Sequence, residues 1–558
     1  MEPFWRTQSY PKHLAPEINE AAYKNILEFT DEAIAQFPQQ KAYSNMGTSI
    51  SYKELDTYAE RLAAYLQKEL GLRKGDKIAI MMPNLLQYPV AVLAALRVGA
   101  VIININPLYT ARELEHILLD SDAKFIIILE NFAHTLEQVL PKSLVQRVLL
   151  AKIGDLFPFP KNMIYNAFAK HVKKFVPKHQ VPHVLLSQAL KEGTGLHYTR
   201  PDITPEDLAF LQYTGGTTGS SKGAMLSHKN IVSNSLQVLS WLEAFPEFQL
   251  KRTICPLPLY HIFALLADCF VLFKLGSESV LITNPRDMKD FLKTLKKAPF
   301  SAIIGVNTLF KHLLTQDAFR SLDFSQLKLT LGGGMAVERA VATEWKELTK
   351  CTLVEAYGLT EASPAVCINP PNLKSFEGSV GLPLPSTLVS IRGEDNSEKG
   401  INEEGELCIK GPQVFEGYWK NPEETRQVLS SDAWLKTGDI AKVDEQGFVH
   451  IMDRKKDIII VSGFNVYPNE IEDVVTHHPK VREAAAVSVP DTKTGEAVKL
   501  YIVKKDESLT EKELIAYCRQ NLVNYKVPRI IEWRSELPKS NVGKILRKDL
   551  KTPRTVRA

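Results

Sequence analysis

The sequence predicts an α/β protein, with a large N-terminal domain of parallel sheets and a small C-terminal α+β domain. At 558 residues the chain is too long for a single hydrophobic core, so several domains are expected. Near the N-terminus, strands predicted at 77–82, 100–105 and 124–129 alternate with helices predicted at 91–98 and 113–119. This alternation is typical of parallel sheets with helices on both faces.

Two later parts of the chain complete the predicted architecture. Residues 378–450 are rich in glycine, proline and alternating apolar positions, which predicts antiparallel strands in a small barrel or sandwich. A charge run at 453–457 then precedes a compact unit of strands and helices, and it suits a hinge between domains. We therefore expect an N-terminal domain at 1–453, whose barrel part begins near residue 378, and a C-terminal domain at 454–558.

Composition and charge exclude several classes of function. The 68 lysine and arginine residues against 64 aspartate and glutamate residues give a net charge of +4, which is too small to indicate nucleic-acid binding. The six cysteines form no C-x-x-C pair, which argues against a disulfide framework or a structural zinc site. The N-terminus lacks a signal-peptide pattern, and no apolar stretch reaches the ~18 uninterrupted residues of a membrane span. We therefore expect a cytoplasmic protein.

A basic amphipathic segment lies at 161–178. Ile164, Phe168, Val172 and Phe175 recur at spacings of four, four and three residues, and lysines lie between or beside them. Such a pattern is typical of a surface helix packed on its own domain, and also of a helix that contacts an anionic membrane surface. The sequence leaves both interpretations open, so peripheral contact with the inner membrane is one expectation.

The glycine-rich run 213–223 is the strongest site signal in the sequence. It follows the apolar residues 208–211 and combines glycines, hydroxyl side chains and Lys222. Glycines let the backbone approach an anion closely, backbone N–H groups and hydroxyls donate hydrogen bonds, and lysine adds positive charge. The run therefore predicts a polyphosphate-binding loop between two strands. It is not a Walker A loop, because two serines separate Gly219 from Lys222.

Further candidate residues follow predicted strands. The proline-framed run 256–263 suits a pocket wall, although His261 taken alone is more typical of a hydrogen-bonded core histidine. A strand runs into the glycines 332–334, and in open α/β sheets ligands collect beyond the carboxyl ends of strands. Glu361 follows another strand and offers oxygen ligands for Mg²⁺. Asp439, after a tight turn, suits ribose hydroxyls or an ordinary Asx turn.

Taken together, these segments resemble the adenylate-forming superfamily of acyl-CoA synthetases, luciferases and peptide-synthetase adenylation domains. The matching motifs, in order, are YTGGTTGSSKG (213–223), PLYHIF (258–263), EAYGLTE (355–361), TGD (437–439), DRKKDIIIVSGFNVYPNEIE (453–472) and PKSNVGKILR (538–547). The stretches similar to bacterial long-chain fatty-acyl-CoA synthetases in particular are MMPNLLQYPVA (81–91), NPLYTARELEH (106–116), ITNPRD (282–287) and SDAWLKTGDIAKVDEQGFVHIMDRKK (431–456). The resemblance runs from about residue 25 to residue 550.

The resemblance implies a reaction in two steps. A long-chain fatty carboxylate attacks the α-phosphate of ATP, giving acyl-AMP and pyrophosphate, and the thiol of CoA then takes the acyl group and releases AMP. Because the carboxylate is already ionised at neutral pH, the first step needs positioning and charge neutralisation rather than a general base. The implied ligands are ATP, Mg²⁺, CoA and a long-chain fatty acid; a homodimer is left open.

The family's functional residues carry over to matching positions. The implied catalytic residues are Lys544, Thr360, Glu361 and His261. The implied nucleotide- and CoA-binding residues are Tyr213, Thr214, Gly215, Gly216, Thr217, Thr218, Gly219, Lys222, Gly332, Gly333, Gly334, Glu355, Ala356, Tyr357, Gly358, Asp439, Arg454 and Gly463. Thr214 and Glu361 are the implied Mg²⁺ ligands, and Lys456 is the implied hinge of a mobile C-terminal domain.

Individual roles follow from the same resemblance. Lys544 bridges the fatty carboxylate and the α-phosphate, and His261 lines the carboxylate pocket. The loop from Thr214 to Lys222 holds the β- and γ-phosphates, whereas Asp439 binds the ribose with support from Arg454. The glycines 332–334 and residues 355–357 form a shelf for adenine, Thr360 lies on the α-phosphate side, and Gly463 faces the pantetheine channel after the domain turns.

Three alternatives share parts of this pattern. A medium-chain or aryl acyl-CoA ligase would run the same chemistry with a different pocket. A fatty acyl-AMP ligase would pass its intermediate to a carrier protein instead of CoA, and the intact segment around Gly463 favours CoA. A non-enzymatic fatty-acid-binding scaffold would have a dead nucleotide site, and the complete set of motifs argues against it.

Overall fold

The computed structural model describes residues 6, 9–173, 175–214, 221–540 and 543–551. Within these residues the chain forms three sheets in its N-terminal part and one in its C-terminal part. The predicted α/β class is confirmed: two sheets are mainly parallel, and a small domain with its own sheet follows them. No helix among the described residues is long and apolar enough to cross a membrane.

The strands are numbered in chain order. They are β1 Lys41–Asn45, β2 Thr48–Ser51, β3 Lys77–Met81, β4 Val101–Asn104, β5 Phe125–Leu129, β6 Arg147–Ala151, β7 Val184–Leu185, β8 Leu208–Thr214, β9 Lys222–Ser227, β10 Arg252–Cys255, β11 Glu278–Leu281, β12 Ala302–Gly305, β13 Leu329–Gly333, β14 Leu353–Gly358, β15 Ala365–Ile368, β16 Leu382–Pro383, β17 Leu388–Arg392, β18 Gly405–Lys410, β19 Leu435–Val443, β20 Val449–Arg454, β21 Ile459–Val461, β22 Phe464–Val466, β23 Val481–Asp491, β24 Gly495–Lys504 and β25 Ile530–Arg534.

The α-helices are numbered in the same order. They are α1 Ile26–Gln36, α2 Tyr52–Lys68, α3 Gln87–Arg97, α4 Ala111–Asp120, α5 Ala133–Val139, α6 Lys161–Ala167, α7 Leu186–Glu192, α8 His228–Glu243, α9 Ile262–Leu266, α10 Leu272–Lys274, α11 Met288–Leu295, α12 Asn307–Leu314, α13 Asp317–Arg320, α14 Arg339–Thr349, α15 Pro422–Val428, α16 Pro468–Thr476 and α17 Glu511–Asn521.

The first sheet has the strand order β7-β6-β5-β3-β4-β8-β9, with β9 antiparallel to β8. Alternate residues of β3 belong to different cores: Ile78 and Ile80 pack in one cluster, and Ala79 and Met81 in another. Both faces of the sheet are therefore covered, which explains why its strands read as continuous apolar runs rather than alternating patterns.

The second sheet has the order β16-β15-β14-β13-β12-β10-β11-β1-β2. Strands β10 to β14 run parallel to one another, whereas β15 pairs with β14 in the antiparallel direction. Their carboxyl ends therefore lie at one edge, where β10 leads to His261, β13 ends at Gly333 and β14 ends at Gly358. Segments far apart in sequence meet at this edge.

The sequence around α2 shows why local signals predict this part of the fold well. Ser51 accepts a hydrogen bond from the Glu54 N–H, and the Glu54 carboxylate accepts one from the Ser51 N–H, so the helix begins with a capping box. Leu55, Leu62 and Leu66, which recur at helical spacing, are buried. One face of the helix therefore joins the core as the spacing indicates.

Helix α8 is buried although it carries several amide side chains. The Nδ2 groups of Asn230 and Asn234 and the Nε2 group of Gln237 donate to backbone carbonyls within the segment 365–414, at 2.8–3.0 Å. Because each of these amides is hydrogen-bonded, its burial leaves no amide group unsatisfied. These bonds fix the rotation of α8, so that Val238 and Leu242 face a cavity.

The antiparallel strands expected within 378–453 are present as the sheet β17-β18-β19-β20. The C-terminal part forms the sheet β22-β21-β24-β23, with β25 parallel to β24. A separate core of the C-terminal part includes Ile471, Val475, Leu500 and Leu514, which join α16 and α17 to the sheet. The small domain therefore has a hydrophobic core of its own.

Candidate active site

A cavity of about 1800 Å³ lies between the N-terminal sheets and the small domain. The carboxyl ends of β8, β13 and β14 reach its wall, together with β19, β20 and C-terminal residues from Lys539 to Lys551. One side is polar and charged. The other is apolar and is built from α8, α9 and the buried strands of the second sheet.

The structure brings most of the predicted site residues into this cavity. Those that line it are Tyr213, Thr214, Lys222, His261, Gly333, Gly334, Glu355, Ala356, Tyr357, Gly358, Thr360, Glu361, Asp439, Arg454, Lys456 and Lys544. Those that lie outside the described residues are Gly215, Gly216, Thr217, Thr218 and Gly219. Gly332 and Gly463 are described but do not line the cavity.

Lys544 enters the cavity at the end of a tight turn of the small domain. The preceding residue, Gly543, has φ +84°, and a Cβ there would lie 2.4 Å from Thr308 Oγ1 of the large domain. Only glycine permits this approach. Burial, followed by the charge of Arg454, lowers the pKa of Lys544 to about 8, while Asp439 acts in the opposite direction.

His261 lies close to Lys544 at the start of α9. Its Nδ1 accepts a hydrogen bond from the Phe263 N–H at 3.4 Å, so it caps the helix. Burial, with a smaller contribution from the charge of Lys544, lowers the pKa of His261 to about 4. The imidazole is therefore neutral at neutral pH, and it lines the cavity as a polar group without charge.

Asp439 is held by two partners in the wall. Tyr357 Oη donates to Asp439 Oδ2 at 2.6 Å, and Arg454 Nε lies 3.6 Å from Asp439 Oδ1. The register of β19 and β20 places Asp439 directly opposite Arg454. A carboxylate fixed in this way has lone pairs left to accept hydrogen bonds from a pair of hydroxyl groups.

The glycines at the end of β13 differ in their surroundings. Gly333 and Gly334 line the cavity. Gly332 does not: a Cβ there would lie 2.8 Å from Val337 Cγ2 and 3.0 Å from Leu353 Cδ2, so this glycine permits close packing beneath the cavity. The direction of the absent Cβ explains why glycine is needed at 332, and the assignment of Gly332 to the adenine shelf stays a prediction.

Glu355 is a buried carboxyl group whose Oε1 accepts a hydrogen bond from the Val337 N–H at 3.0 Å. Burial raises the pKa of Glu355 to about 8. The group is therefore largely protonated at neutral pH and adds little negative charge to the cavity wall.

Strands β8 and β9, which flank the glycine-rich loop, form an antiparallel pair that ends at the cavity. Thr214 and Lys222 are partners in the β8–β9 register, which confirms the predicted strands on either side of the loop. The Lys222 ammonium pairs with Glu424 and lies 5.4 Å from the centre of the Tyr418 ring. Tyr418 Oη in turn donates to Glu361 Oε1 at 2.7 Å. Lys222 and Glu361 are thus linked through one tyrosine.

Tyr213 and Gly463 have surroundings that the motifs alone did not indicate. Tyr213 Oη donates to Asp120 Oδ2 at 2.5 Å, so its hydroxyl is committed to the protein. Gly463 lies on the exposed hairpin of β21 and β22, with φ +84° and open space around the position of a Cβ. In this arrangement of the domains, Lys544 occupies the cavity and Gly463 remains outside it.

Sequence reasoning assigned no role to Arg547, which the structure places beside the cavity. Its guanidinium donates to Glu472 Oε1 and Oε2 at 2.9 and 2.7 Å, to Asn469 Oδ1 at 2.5 Å and to Asp453 Oδ1 at 3.2 Å. Asp453 belongs to β20 of the large domain, so Arg547 joins the two domains. Its place within the PKSNVGKILR motif was the available signal.

The apolar side of the cavity was also missed. Its residues include Val238, Leu242, Leu250, Leu257, Leu266, Ala267, Val271, Leu272, Ile304, Leu329 and Leu331. They come from several helices and strands, and each is an ordinary core residue by its local pattern. No motif marks them, because only the packing of these elements leaves space between them.

Two family models match the chain. The model described as AMP-binding enzyme matches residues 30–419, and the model described as AMP-binding enzyme C-terminal domain matches residues 470–544. The chain belongs to the AMP-binding enzyme family. The motifs at 213–223, 258–263 and 355–361 lie within the first match, and residues of these motifs line the cavity.

Individual relatives agree with the family. A long-chain-fatty-acid–CoA ligase of Escherichia coli O6:H1 is 50% identical over 99% of this chain and 98% of its own length. The structure of ATP-bound MatB from Rhodopseudomonas palustris has 28% identity and a TM-score of 0.77, covering 94% of this chain and 98% of that one. The anthranilate CoA ligase AuaEII with anthranoyl-AMP has a TM-score of 0.84 at 22% identity, covering 96% and 98%, and shows the fold.

The pKa of Lys544 leads to a prediction about pH. Below about 8 the side chain is charged in the free enzyme, and above it the charge is lost. A charged lysine in the cavity attracts anionic substrates, so the role that the resemblance implies for Lys544 predicts that kcat/KM for AMP formation falls as the pH rises through about 8. In Lys544→Arg the side chain stays charged, so the fall of the residual kcat/KM should move to higher pH. If the pH of this fall does not change, the fall belongs to Lys456 instead, because burial lowers the pKa of Lys456 to about 8 as well.

Proposed function

We propose that the protein is an AMP-forming long-chain-fatty-acid–CoA ligase. The observation that supports this best is the continuity of the cavity: the polar end that holds Lys544 and Asp439 opens directly onto a long apolar wall. A carboxylate at the polar end would therefore have its hydrocarbon chain in apolar surroundings. The E. coli relative, which is 50% identical over nearly the whole chain, carries the same activity in its name.

The reaction proceeds in two balanced steps. A carboxylate oxygen attacks the α-phosphorus of ATP, the bond to the β-phosphate oxygen breaks, and pyrophosphate leaves. The CoA sulfur then attacks the acyl carbonyl, the bond to AMP breaks, and the thiol proton goes to solvent. The first step joins two anions, so it depends on fixed positive charge. Lys544 supplies that charge where the carboxylate and the α-phosphate meet.

We assign roles around the nucleotide to residues of the polar end. Asp439, held by Tyr357 and Arg454, accepts hydrogen bonds from the ribose hydroxyls. Adenine lies against the backbone of 333–334 and 356–358, where glycines permit close approach. The loop between Thr214 and Lys222 holds the β- and γ-phosphates, and Thr360 lies on the α-phosphate side.

Mg²⁺ fits this site through oxygen ligands. One oxygen of the Glu361 carboxylate accepts a hydrogen bond from Tyr418, and its second oxygen is left for a cation. The Thr214 hydroxyl group lines the same cavity. Among the described residues no group of three or more His, Cys, Asp or Glu side chains could hold a metal ion. Mg²⁺ is usually shared between one or two carboxylates and substrate phosphates, and Glu361 is the carboxylate that we assign to it. When bound, the ion would neutralise phosphate charge.

We also propose that the unit 454–558 turns relative to 1–453 between the two steps, with Lys456 at the hinge. In the present arrangement Lys544 is inside the cavity, as adenylation requires, and the exposed Gly463 is outside. Such a turn would have to break specific bonds between the two units, among them those from Tyr467 Oη to Glu404 Oε2 at 2.5 Å, from the Asn469 N–H to Asp453 Oδ2 at 2.7 Å and from Arg547 to Asp453. A turn would withdraw Lys544 and bring Gly463 to the path of the pantetheine arm.

Half-reaction assays test this division. Lys544→Ala should abolish acyl-AMP formation, measured as ATP–pyrophosphate exchange with palmitate, because the charge between the two anions is lost. It should leave CoA-thioester formation from supplied palmitoyl-AMP largely intact. Gly463→Leu should show the reverse pattern, since it obstructs only the second geometry. Equal loss in both half-reactions for both variants would contradict the domain turn.

The Glu361 assignment has its own test. Glu361→Gln keeps the size and the Tyr418 contact but removes the charge, so the Mg²⁺ concentration for half-maximal exchange should rise on the order of tenfold or more. Glu424→Gln, which removes the partner of Lys222, serves as the control and should leave the Mg²⁺ requirement unchanged. The same Mg²⁺ dependence in Glu361→Gln and wild type would remove Glu361 as a ligand.

The apolar wall also separates the alternative activities. An aryl or medium-chain carboxylate would leave much of this wall uncovered, whereas a long chain would cover it. Exchange rates over a series from octanoate to oleate, together with benzoate, distinguish these ligases. Free CoA as acceptor distinguishes CoA ligation from transfer to a carrier protein.

We further propose that the segment 159–175 contacts an anionic membrane surface. Phe159, Met163 and Val172 are 79%, 62% and 65% exposed, and Ile164, Phe168 and Phe175 are exposed as well. The apolar stripe is therefore not packed on its own domain. Lys170 and Lys173 are exposed beside it. Exposed apolar side chains next to lysines are suited to insertion among anionic headgroups.

Vesicle binding tests this surface. Lys161 stays unchanged because its ammonium donates to Met46 O and Thr48 Oγ1 at 2.8 Å. Each lysine near an anionic surface contributes about 1 kcal/mol, so Lys170→Gln/Lys173→Gln should lower binding to phosphatidylglycerol vesicles by roughly 30-fold. Lys505→Gln/Lys512→Gln, the same change on the small domain, is the control and should bind normally. Equal binding by both double variants would contradict the proposal.

A further inference from the structure

The segment that follows His261 forms the apolar wall in an unusual way. It consists of α9, a π-helical turn at Ala267–Val271 and α10. Between Ala264 and Phe273 every residue is buried except Ala267. Leu266, Ala267, Val271 and Leu272 of this segment line the cavity, and Ala267 has the smallest side chain among them.

The π turn is held in register by buried polar contacts behind it. Tyr43 Oη donates to the backbone oxygen of Asp268 at 3.1 Å, and Ser279 Oγ donates to Asp268 Oδ1 at 2.8 Å. A π turn shifts the hydrogen-bond register of a helix, and such turns are frequent at functional sites. With Asp268 tied to the neighbouring strands, Ala267 and Val271 are fixed toward the cavity.

The position of Ala267 along the cavity follows from helix geometry. At a rise of about 1.5 Å per residue, Ala267 lies ~9 Å along the axis from His261, which marks the carboxylate end. That distance is greater than the length of the first several methylene groups of an extended acyl chain. A short acyl chain therefore ends before Ala267, whereas a long one must pass it.

Other residues of the apolar wall are bulkier than Ala267. Val238 and Leu242 of α8 and Leu331 of β13 line the cavity, together with Ile304 of β12. Helix α8 is tied down by its amide hydrogen bonds, so this wall has little freedom to retreat. The width of the cavity beside Ala267 then depends on the size of the side chain at position 267.

We propose that Ala267 is a specificity-determining residue, whose small side chain on the π turn admits acyl chains longer than octanoyl. This rests on the proposed ligase function and adds the residue that sets the acyl length. A larger side chain at 267 would close the apolar wall beyond the reach of short chains, and it would leave the reaction centre at His261 and Lys544 unchanged.

The test compares the same new side chain at two positions of the turn. Ala267→Leu should lower the ratio of kcat/KM for palmitate to that for octanoate on the order of tenfold or more, with octanoate activity nearly unchanged. Cys269→Leu is the control: Cys269 is buried on the same turn and is not part of the cavity wall, so any damage should affect both substrates equally. Ala267→Val should give the same direction with a smaller effect if Ala267→Leu does not fold.

The outcomes separate the two proposals. If wild type activates palmitate and the ratio is unchanged in Ala267→Leu and Ala267→Val, the role of Ala267 is wrong and the ligase function stands. If the ratio falls equally in Cys269→Leu, the effect belongs to the turn as a whole and the role of Ala267 is also wrong. If wild type activates octanoate but not palmitate, the long-chain function itself fails, and the inference fails with it.

Discussion

The organisation of the cavity depends on a positive charge removed from water. The protonated form of Lys544 is opposed by burial and by Arg454, Arg547 and Lys456, and it is favoured by Asp439. Both desolvation and like charges raise the free energy of the charged form. An anionic ligand supplies the missing compensation, so ATP and a carboxylate stabilise the inserted lysine. Departure of pyrophosphate would remove part of that compensation, which favours the withdrawal that we propose.

A second buried network fixes the lysine in place. Arg547 bonds to Glu472 of the small domain and to Asp453 of the large one. The Asp453 side chain is fully buried and also accepts from the Asn469 N–H at 2.7 Å. Buried charges are tolerated when each is paired and hydrogen-bonded. Arg547, three residues after Lys544, therefore anchors this part of the chain to β20, the strand that carries Arg454.

Much of the fold was predictable because its signals are local. The capping box at Ser51, the alternation of apolar strands with helices and the strands on both sides of the glycine-rich loop need only neighbouring residues, and the structure contains each of them. The mixed parallel sheets follow, since such alternation has few packing solutions. Site residues within motifs were predictable for a related reason: parallel strands bring their carboxyl ends, and whatever follows them, to one edge.

The sequence by itself determined the family, the chemistry of the motif residues and the edge of the sheets at which they gather. Only the tertiary structure decided which way individual groups face: Gly332 toward the core, the Tyr213 hydroxyl toward Asp120, and Arg547 across the two domains. It also decided the apolar wall and the opening at Ala267. The physical reason is that a cavity is the space left between packed elements, and no local pattern of residues encodes a space that distant segments enclose.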